Sequence, residues 1–200
     1  MPAVAQRPLN LSQPPRARWT VDQFHEACDR GLFEGRNVIL VDGEILEMPP
    51  PNPPHNSGVE LTRLILQAIF GPTHWARTQM ALDLGLDIDP VPDVAVVVGT
   101  PKTVTDQPST ALLVVEVSDS TLAYDRGLKS NLYAQGGIAD YWVLDLNGRK
   151  LWVHRDPRAD TSSPRGFRYS TVHSYGESDF VAPLAVPTAT VAVTDLLPNP

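Results

Sequence analysis

The chain has 200 residues, 42% of them hydrophobic, and a formal net charge of -7 at pH 7. This length predicts one globular domain with its own core, and the acidic charge argues against a protein that coats nucleic acid through a broad basic surface. No apolar run approaches the ~20 residues that span a bilayer, so we expect no membrane association. The single cysteine, Cys28, excludes an internal disulfide and fits a cytoplasmic location.

The N-terminal part of the sequence predicts an arm, a helix and a hairpin. Residues 1–18 are Pro-rich and lack the apolar stretch of a signal peptide, so we expect a disordered arm before one domain over residues 19–197. Apolar spacing in Trp19–Cys28, with Thr20 as N-cap, predicts a short amphipathic helix. Two strands, Val38–Val41 and Glu44–Met48, flank Asp42-Gly43, a dipeptide typical of a type I′ turn, and predict a β-hairpin.

Helices and short strands alternate through the rest of the sequence. Beyond the proline loop at Pro49–Pro54, Val59–Phe70 predicts a helix whose core face includes Leu61, Leu64 and Ile65. A further helix is predicted over Tyr124–Gln135. Strands are predicted within Ala76–Leu86 and at Asp93–Val98, Ala111–Val117, Asp140–Leu144, Leu151–His154 and Phe167–Thr171. The expected fold class is therefore α/β, a mixed β-sheet core flanked by helices, with an N-terminal β-hairpin.

Two carboxylates interrupt the apolar strands. Asp93 opens the segment DVAVVV, and Glu116 lies near the end of LLVVEVS. A buried carboxylate is costly unless its charge is compensated, either by a cation shared between the two acids or by an Arg or Lys partner. If the strands are neighbours, the carboxylate oxygens should lie roughly 4–6 Å apart, as in the oxygen-rich sites that Mg²⁺ prefers. The simpler alternatives are a turn cap for Asp93 and a buried ion pair with Arg for Glu116.

The predicted helix after the Glu116 strand carries a polar stripe. Asp125, Lys129 and Tyr133 stand at positions i, i+4 and i+8, which places an ammonium and a phenol on one side of the helix. That side can face the end of the Glu116 strand. Each residue also has an ordinary interpretation: Asp125 and Lys129 as an exposed ion pair worth ~0.3–0.5 kcal/mol, and Tyr133 as a core aromatic.

These segments together resemble a known family. The resemblance lies in Pro92-Asp93, VVEVSDST (Val114–Thr121), D-x-x-x-K-x-x-x-Y (Asp125–Tyr133) and GIADYWVLD (Gly137–Asp145). They resemble the Uma-type restriction endonucleases of the PD-(D/E)xK nuclease superfamily. The resemblance runs from the helix near Trp19 to about His154, and more weakly to Leu197, and its specific part is the stretch from Glu116 to Asp145.

The resemblance implies a restriction-endonuclease-like fold, a homodimer, and hydrolysis of DNA phosphodiester bonds with Mg²⁺ or Mn²⁺. It implies catalytic roles for Asp93, Glu116 and Lys129, and metal ligation by Asp93, Glu116 and Val117. Supporting roles fall to Tyr133, Asp125, His55 and Ser118. Ser118 stands two residues after the glutamate, where the superfamily motif has a lysine, and Lys129 on the next helix is the match for that lysine. His55 matches a histidine that would contact phosphate, although a plain loop residue is the alternative.

One position departs from the family pattern. Relatives usually carry a glutamate before the hairpin turn, whereas this chain has Ile39. If that glutamate helps hold the metal, the site here is weakened. A second hypothesis is therefore a catalytically silent protein that binds DNA or a protein partner through the same cleft, although the intact Asp93, Glu116 and Lys129 favour the enzyme.

Overall fold

The computed structural model describes residues 17–199 apart from 42, 49, 87 and 89. These residues form two compact units, one ending at Pro50 and one beginning at Pro51. Most of the predicted N-terminal arm lies outside the described residues, and the single domain over 19–197 stays a prediction. No helix in the described ranges is long and apolar enough to cross a membrane.

The first unit contains a helix and a hairpin. Helix α1 spans Val21–Asp29 and begins with a capping box, in which the side chains of Thr20 and Gln23 each accept the other's backbone N–H. Strands β1 (Val38–Val41) and β2 (Glu44–Glu47) pair antiparallel. Both predicted elements are confirmed, and Gly43 has the positive φ of 76° that glycine tolerates in a tight turn. Its turn partner Asp42 lies outside the described residues.

The second unit is built on a six-stranded mixed sheet, as predicted. In spatial order its strands are β3 (His74–Thr78), β4 (Val94–Val98), β5 (Leu113–Ser118), β6 (Asp140–Asp145), β7 (Lys150–Ala159) and β8 (Phe167–Gly176). Strands β5 and β6 run parallel, and every other neighbouring pair in this sheet is antiparallel. The chain then forms the short pair β9 (Phe180–Val181) and β10 (Val191–Ala192) and the helix α5 (Val193–Leu196), which no sequence pattern predicts.

Helices cover both faces of this sheet. Helix α2 (Pro53–Phe70) packs Val59, Leu66 and Phe70 against one face, which we call the α2 face. Helix α4 (Ser130–Gln135) packs Tyr133 and Ala134 against the other, the α4 face. Because side chains alternate along a strand, β4 and β5 send every second residue to each core, which explains why these strands are apolar except for Glu116 and Ser118 at the end of β5.

Helix α2 begins at Pro53 rather than at the predicted Val59. Asn52 is the N-cap and accepts the backbone N–H of His55 at 3.0 Å. Pro53 and Pro54 occupy the first turn, where a missing N–H costs nothing because that group has no partner within the helix. The predicted core face is also wrong in part, because Leu64 is 51% exposed while Val59, Thr62, Leu66 and Phe70 are buried.

The predicted helix over Tyr124–Gln135 is interrupted. It consists of α3 (Leu122–Tyr124), a π-helical turn (Asp125–Lys129) and α4. The Ser130 hydroxyl bonds to the carbonyl oxygens of Arg126 and Gly127 at 2.9 Å each, and so satisfies backbone groups at the wide turn. Single π-helical turns occur frequently at functional sites, and this one carries Asp125 and Lys129 at its two ends.

The predicted strand content of Ala76–Leu86 is limited to its first residues. Strand β3 ends at Thr78, and the described residues from 79 to 86 form no strand. This segment instead follows the start of β4, because Gln79 donates its backbone N–H to the carbonyls of Pro92 and Asp93. The connection thus runs beside the end of the sheet where Asp93 lies.

Candidate active site

Asp93 and Glu116 meet at the junction of β4 and β5. In this antiparallel pair Val94 lies opposite Val115, and continuing the register by one residue sets Asp93 opposite Glu116. Alternation along the strands gives both residues the same side as Ala95 and Val114, which is the α4 face. Glu116 is 1% exposed, whereas the Asp93 side chain keeps 15% of its surface exposed. The two carboxylates therefore share one face of the sheet, and their 4–6 Å separation stays a prediction.

Glu116 is held by two donors from the helical segment above it. The Lys129 ammonium lies 2.9 Å from Oε2, and the Tyr133 hydroxyl donates to Oε1 at 2.8 Å. Burial, followed by the nearby charges of Asp93 and Asp125, raises the pKa of Glu116 to about 8 even though Lys129 opposes the shift. Glu116 has Lys129 as its partner, so the alternative of a buried pair with Arg is wrong.

Lys129 joins Glu116 to a second buried carboxylate. Its Nζ lies 3.3 Å from Oδ1 of Asp125, which is 2% exposed. Burial alone would lower the pKa of Lys129, but the charges of Glu116, Asp125 and Asp93 outweigh it and raise that pKa. Lys129 is therefore held as an ammonium. The interpretation of Asp125 and Lys129 as an exposed surface pair is wrong.

Asp93 is oriented by contacts from β5 and α2. Its Oδ2 accepts the backbone N–H of Val117 at 2.8 Å and lies 3.3 Å from Nε2 of His55. Burial would raise the pKa of Asp93, but the hydrogen bond and charge of His55, together with Lys129 and the Val117 N–H, lower it. The hydrogen bond to Asp93 in turn raises the pKa of His55. Asp93 thus bonds across the sheet instead of capping a local turn, and His55 lies inside the site on the first turn of α2.

Ser118 and Val117 occupy the end of β5. Ser118 is buried, and its hydroxyl lies 3.5 Å from the Thr121 hydroxyl. Because a serine stands where the superfamily motif has a lysine, this position supplies no cation. The Val117 side chain belongs to the α2-face core, and its backbone N–H binds Asp93. Its carbonyl is the group that would serve as a metal ligand.

Two residues that bind Asp125 at the candidate site were not predicted from the sequence. Thr121 donates to Oδ2 of Asp125 at 2.5 Å, and the Tyr141 hydroxyl on β6 donates to the Asp125 carbonyl oxygen at 2.8 Å. Thr121 could have been found, because it extends the stripe of Asp125, Lys129 and Tyr133 by four residues toward the N-terminus. Tyr141 carries no comparable signal, since its part in the site depends on the parallel pairing of β5 and β6.

The donor atoms at this site fit a hard divalent cation. Among the described residues no three His, Cys, Asp or Glu side chains are grouped to hold a metal by themselves. Mg²⁺ does not require such a group, because it commonly binds one or two carboxylates and completes its octahedron with water and substrate phosphate. Asp93, whose side chain is partly exposed, offers Oδ1, which accepts no hydrogen bond within the described part of the chain. Asp93, Glu116 and the Val117 carbonyl are thus a chemically suitable set.

Comparison with known proteins identifies the family. The family model for Uma2, described as "Putative restriction endonuclease", matches residues 21–193. This chain belongs to the Uma2 family. Among solved structures, a protein described as a putative nuclease belonging to DUF820, from Anabaena variabilis, is similar at a TM-score of 0.63. The two are 15% identical, and the alignment covers 89% of this chain and 97% of that chain, so the likeness concerns the fold. No curated protein matches the chain.

The Uma2 match spans the whole candidate site. It extends from α1 to the first residue of α5 and contains His55, Asp93, Glu116, Asp125, Lys129 and Tyr133. The family predicted from the motifs is therefore confirmed, and the restriction-endonuclease-like fold agrees with the nuclease structure that the chain resembles.

Proposed function

We propose that this Uma2 protein is an endonuclease that hydrolyses DNA phosphodiester bonds with Mg²⁺. The observation that carries the proposal is the convergence of Asp93, Glu116 and Lys129 on the α4 face, with the ammonium 2.9 Å from Glu116. A carboxylate pair beside a fixed ammonium suits a reaction in which negative charge builds up on a phosphate. The preference for DNA rests on the family description as a restriction endonuclease.

Asp93, Glu116 and the Val117 carbonyl would hold the cation. Mg²⁺ or Mn²⁺ would supply polarisation of the phosphate and easier ionisation of the attacking water. Burial, followed by the charges of Asp93 and Asp125, raises the pKa of Glu116 against the effect of Lys129, and a bound cation would favour the ionised carboxylate. The partly exposed Asp93 marks the side from which cation and substrate would enter.

Lys129 would stabilise the transition state rather than act as a base. Its pKa is raised by three carboxylates, so it keeps its proton and can donate hydrogen bonds to a phosphate oxygen. Ion pairs with Asp125 and Glu116 hold the Lys129 ammonium in place. Tyr133 in turn orients Glu116 by donating a hydrogen bond to it. The exposed fraction of His55 would meet a phosphate at the edge of the site.

Assembly and location extend the proposal. A homodimer would place two such sites for the two strands of a duplex, as the family resemblance implies. The single cysteine, which is exposed and free, is compatible with a reducing cytoplasm.

The catalytically silent alternative rests on Ile39. This residue lies opposite Leu46 in the hairpin, so neither member of the pair supplies a carboxylate. Glu47, the next residue on β2, forms an ion pair with Arg36 at 2.7 Å and is already engaged. A protein of this kind would bind DNA or a protein partner without cutting.

Nicking of supercoiled plasmid tests the proposed function. Wild-type protein should nick in Mg²⁺ or Mn²⁺ and stop when EDTA is added. Asp93→Asn should slow nicking by ~10²-fold or more, because it removes a ligand charge. Asp106→Asn, in an exposed loop, makes the same chemical change and should behave as wild type.

Two outcomes would count against the proposal. If nicking persists both in EDTA and in Asp93→Asn, this site takes no part in the reaction. Metal and DNA binding without nicking of any substrate would favour the silent alternative, and Ile39→Glu would then be the first change to test for restored cleavage.

A further inference from the structure

The α4 face also carries a guanidinium that pairs with no carboxylate among the described residues. Arg126 belongs to the π-helical turn, and its Cζ lies 3.3 Å from the centroid of the Trp152 ring on β7. Its Nε is buried without a hydrogen-bond partner, and no described carboxylate pairs with this side chain. Other described arginines do form ion pairs with Asp or Glu, namely Arg30, Arg36, Arg63, Arg149, Arg155 and Arg168.

The position of Trp152 relates this guanidinium to the carboxylates. In the β5–β6 pair Glu116 lies opposite Val143, and in the β6–β7 pair Val143 lies opposite Trp152. Trp152 therefore stands in the same row as Glu116, two strands away, which is ~10 Å at the usual strand spacing. Trp152 packs toward the α4-face core, so Arg126 covers the same face that holds Glu116.

Stacking on Trp152 orients Arg126 without neutralising it. A cation above an indole is attracted by the negative face of the ring, yet its full charge remains, and the N–H donors at the edge of the guanidinium stay available. The charge of Arg126 also acts on the buried His154. Burial and this charge together lower the pKa of His154 to about 4. Arg126 is only partly buried, so part of its surface can be reached from solvent.

We propose that Arg126 binds a backbone phosphate of the nucleic acid beside the one acted on at Glu116 and Lys129, with Trp152 holding the guanidinium in place. A stacked guanidinium presents a fork that matches two phosphate oxygens, and phosphate is the anion that the proposed substrate repeats along its length. The inference rests on the proposed function and adds a substrate-positioning residue to it. Because the contact is to the backbone, Arg126 contributes affinity that does not depend on base sequence.

Binding of a short fluorescent DNA duplex, followed by anisotropy over a range of salt concentrations, tests this role. Ca²⁺ replaces Mg²⁺ so that binding is measured apart from cleavage. Arg126→Gln should weaken binding about 3- to 30-fold at low salt and reduce the salt slope by about one, the loss expected for one phosphate contact. Arg158→Gln, exposed on β7, changes the net charge equally and should keep the wild-type slope.

Two further variants separate binding from folding. Arg126→Lys keeps the charge but loses the fork, so the slope should stay near wild type while affinity falls. Trp152→Leu leaves Arg126 in the chain without its stacking partner and should also weaken binding. Thermal unfolding identifies any variant that does not fold. The DNA binding of the variants that do fold then tests the role of Arg126.

The outcomes distinguish this inference from the proposed function. If wild-type protein binds the duplex and Arg126→Gln binds with the same affinity and slope, Arg126 has no phosphate contact and the proposed nuclease stands. An equal loss in Arg158→Gln would likewise overturn the inference, because charge anywhere on the surface would then suffice. Failure of the wild-type protein to bind DNA at all would overturn both proposals.

Discussion

Burial determines what the ionisable groups of this protein do. Glu116 and His154 both lie on the α4 face and are almost fully buried. Burial disfavours the charged form, so it raises the pKa of the acid and lowers that of the imidazole. Lys129 is the exception, because three carboxylates outweigh its desolvation. The site is thus a cluster of groups whose pKa values differ from those in water, as is common at catalytic centres.

His154 gives a pH dependence of stability that does not involve the carboxylates of the candidate site. Its pKa falls from 6.5 to about 4 in the folded protein, so between these values the unfolded chain binds a proton that the folded chain excludes. The free energy of unfolding should therefore have its full value above about pH 6.5 and should fall by up to ~3 kcal/mol as the pH drops toward 4. His154→Phe should remove this part of the slope in urea unfolding measured at several pH values.

The exposed His173 supplies the control for that measurement. It lies on β8 opposite Val153, and His173→Phe should leave the pH slope as in wild type. An unchanged slope in His154→Phe would contradict the assignment of the slope to His154.

At the scale of elements, the π-helical turn brings Lys129 to the carboxylates. The superfamily motif takes its lysine from the strand itself, whereas this chain has Ser118 there and takes the ammonium from the next helical segment. Three side chains fix the turn: Thr121 and Tyr141 bind Asp125, and the Ser130 hydroxyl binds the carbonyl oxygens of Arg126 and Gly127. The turn is therefore held by a hydrogen bond from β6 and by hydrogen bonds from residues that flank it along the chain.

Tyr141→Phe tests whether this support matters for catalysis. It removes the 2.8 Å hydrogen bond to the Asp125 carbonyl, which should cost about 1 kcal/mol of stability. It should also slow nicking by ~10-fold or more, because small displacements of a catalytic group have large effects on rate. Urea unfolding and plasmid nicking measure the two effects.

Tyr169→Phe is the matched control for the π-turn. Tyr169 is buried in the same core and donates to the carbonyl of Ile138 at 2.7 Å, away from the turn. It should lose similar stability and keep its nicking rate. Equal loss of rate in both variants would mean that general destabilisation, not the turn, explains the effect.

The sequence predicted the elements whose local pattern is strong. The hairpin, α1 and the central strands follow from turn chemistry, capping and apolar runs. The start of α2 was wrong because prolines indicate loops in general, although Asn52 followed by proline is also an N-terminal helix signal. The π-turn could not be predicted, since the i→i+5 bonding of Asp125–Lys129 depends on contacts from β6 and Ser130 rather than on its own residues.

The site residues were more predictable than their partners. Asp93, Glu116 and Lys129 stood out because charges interrupt or adjoin apolar segments. Arg126 and Trp152 did not, because only the strand register shows that Trp152 lies level with Glu116. Contacts across three strands leave no spacing signal in the sequence.

At the scale of the whole molecule, the net charge of -7 limits how DNA can be held. Most arginines outside the site are neutralised by ion pairs in the described residues, so binding must depend on a few local cations and on metal. The salt dependence of DNA binding should accordingly be shallower than that of proteins with broad basic surfaces.

Assembly is the second property of the whole molecule that can be measured. The proposed homodimer should give a mass of about 44 kDa by light scattering at tens of micromolar, twice the 21.9 kDa of one chain. A dilution series monitors its dissociation. A mass of one chain across this range would contradict the dimer and would leave a single site that nicks one strand at a time.

In the proposed reaction Lys129 supplies the ammonium for cleavage at the Asp93–Glu116 site. Lys129→Met removes this ammonium from between two buried carboxylates, so some loss of stability is expected, up to the ~3–5 kcal/mol typical of broken buried pairs. Unfolding measurements therefore accompany the assay, and Glu116→Gln serves for comparison because it should weaken metal binding as well. Lys102→Met, at an exposed position, controls for the charge change.

The most direct test is the nicking rate of folded Lys129→Met in saturating Mg²⁺. A loss of ~10²–10³-fold with metal binding retained is the expected result, in line with other positioned electrostatic groups. Nicking at the wild-type rate would contradict the account, because the ammonium beside Glu116 would then take no part in the reaction.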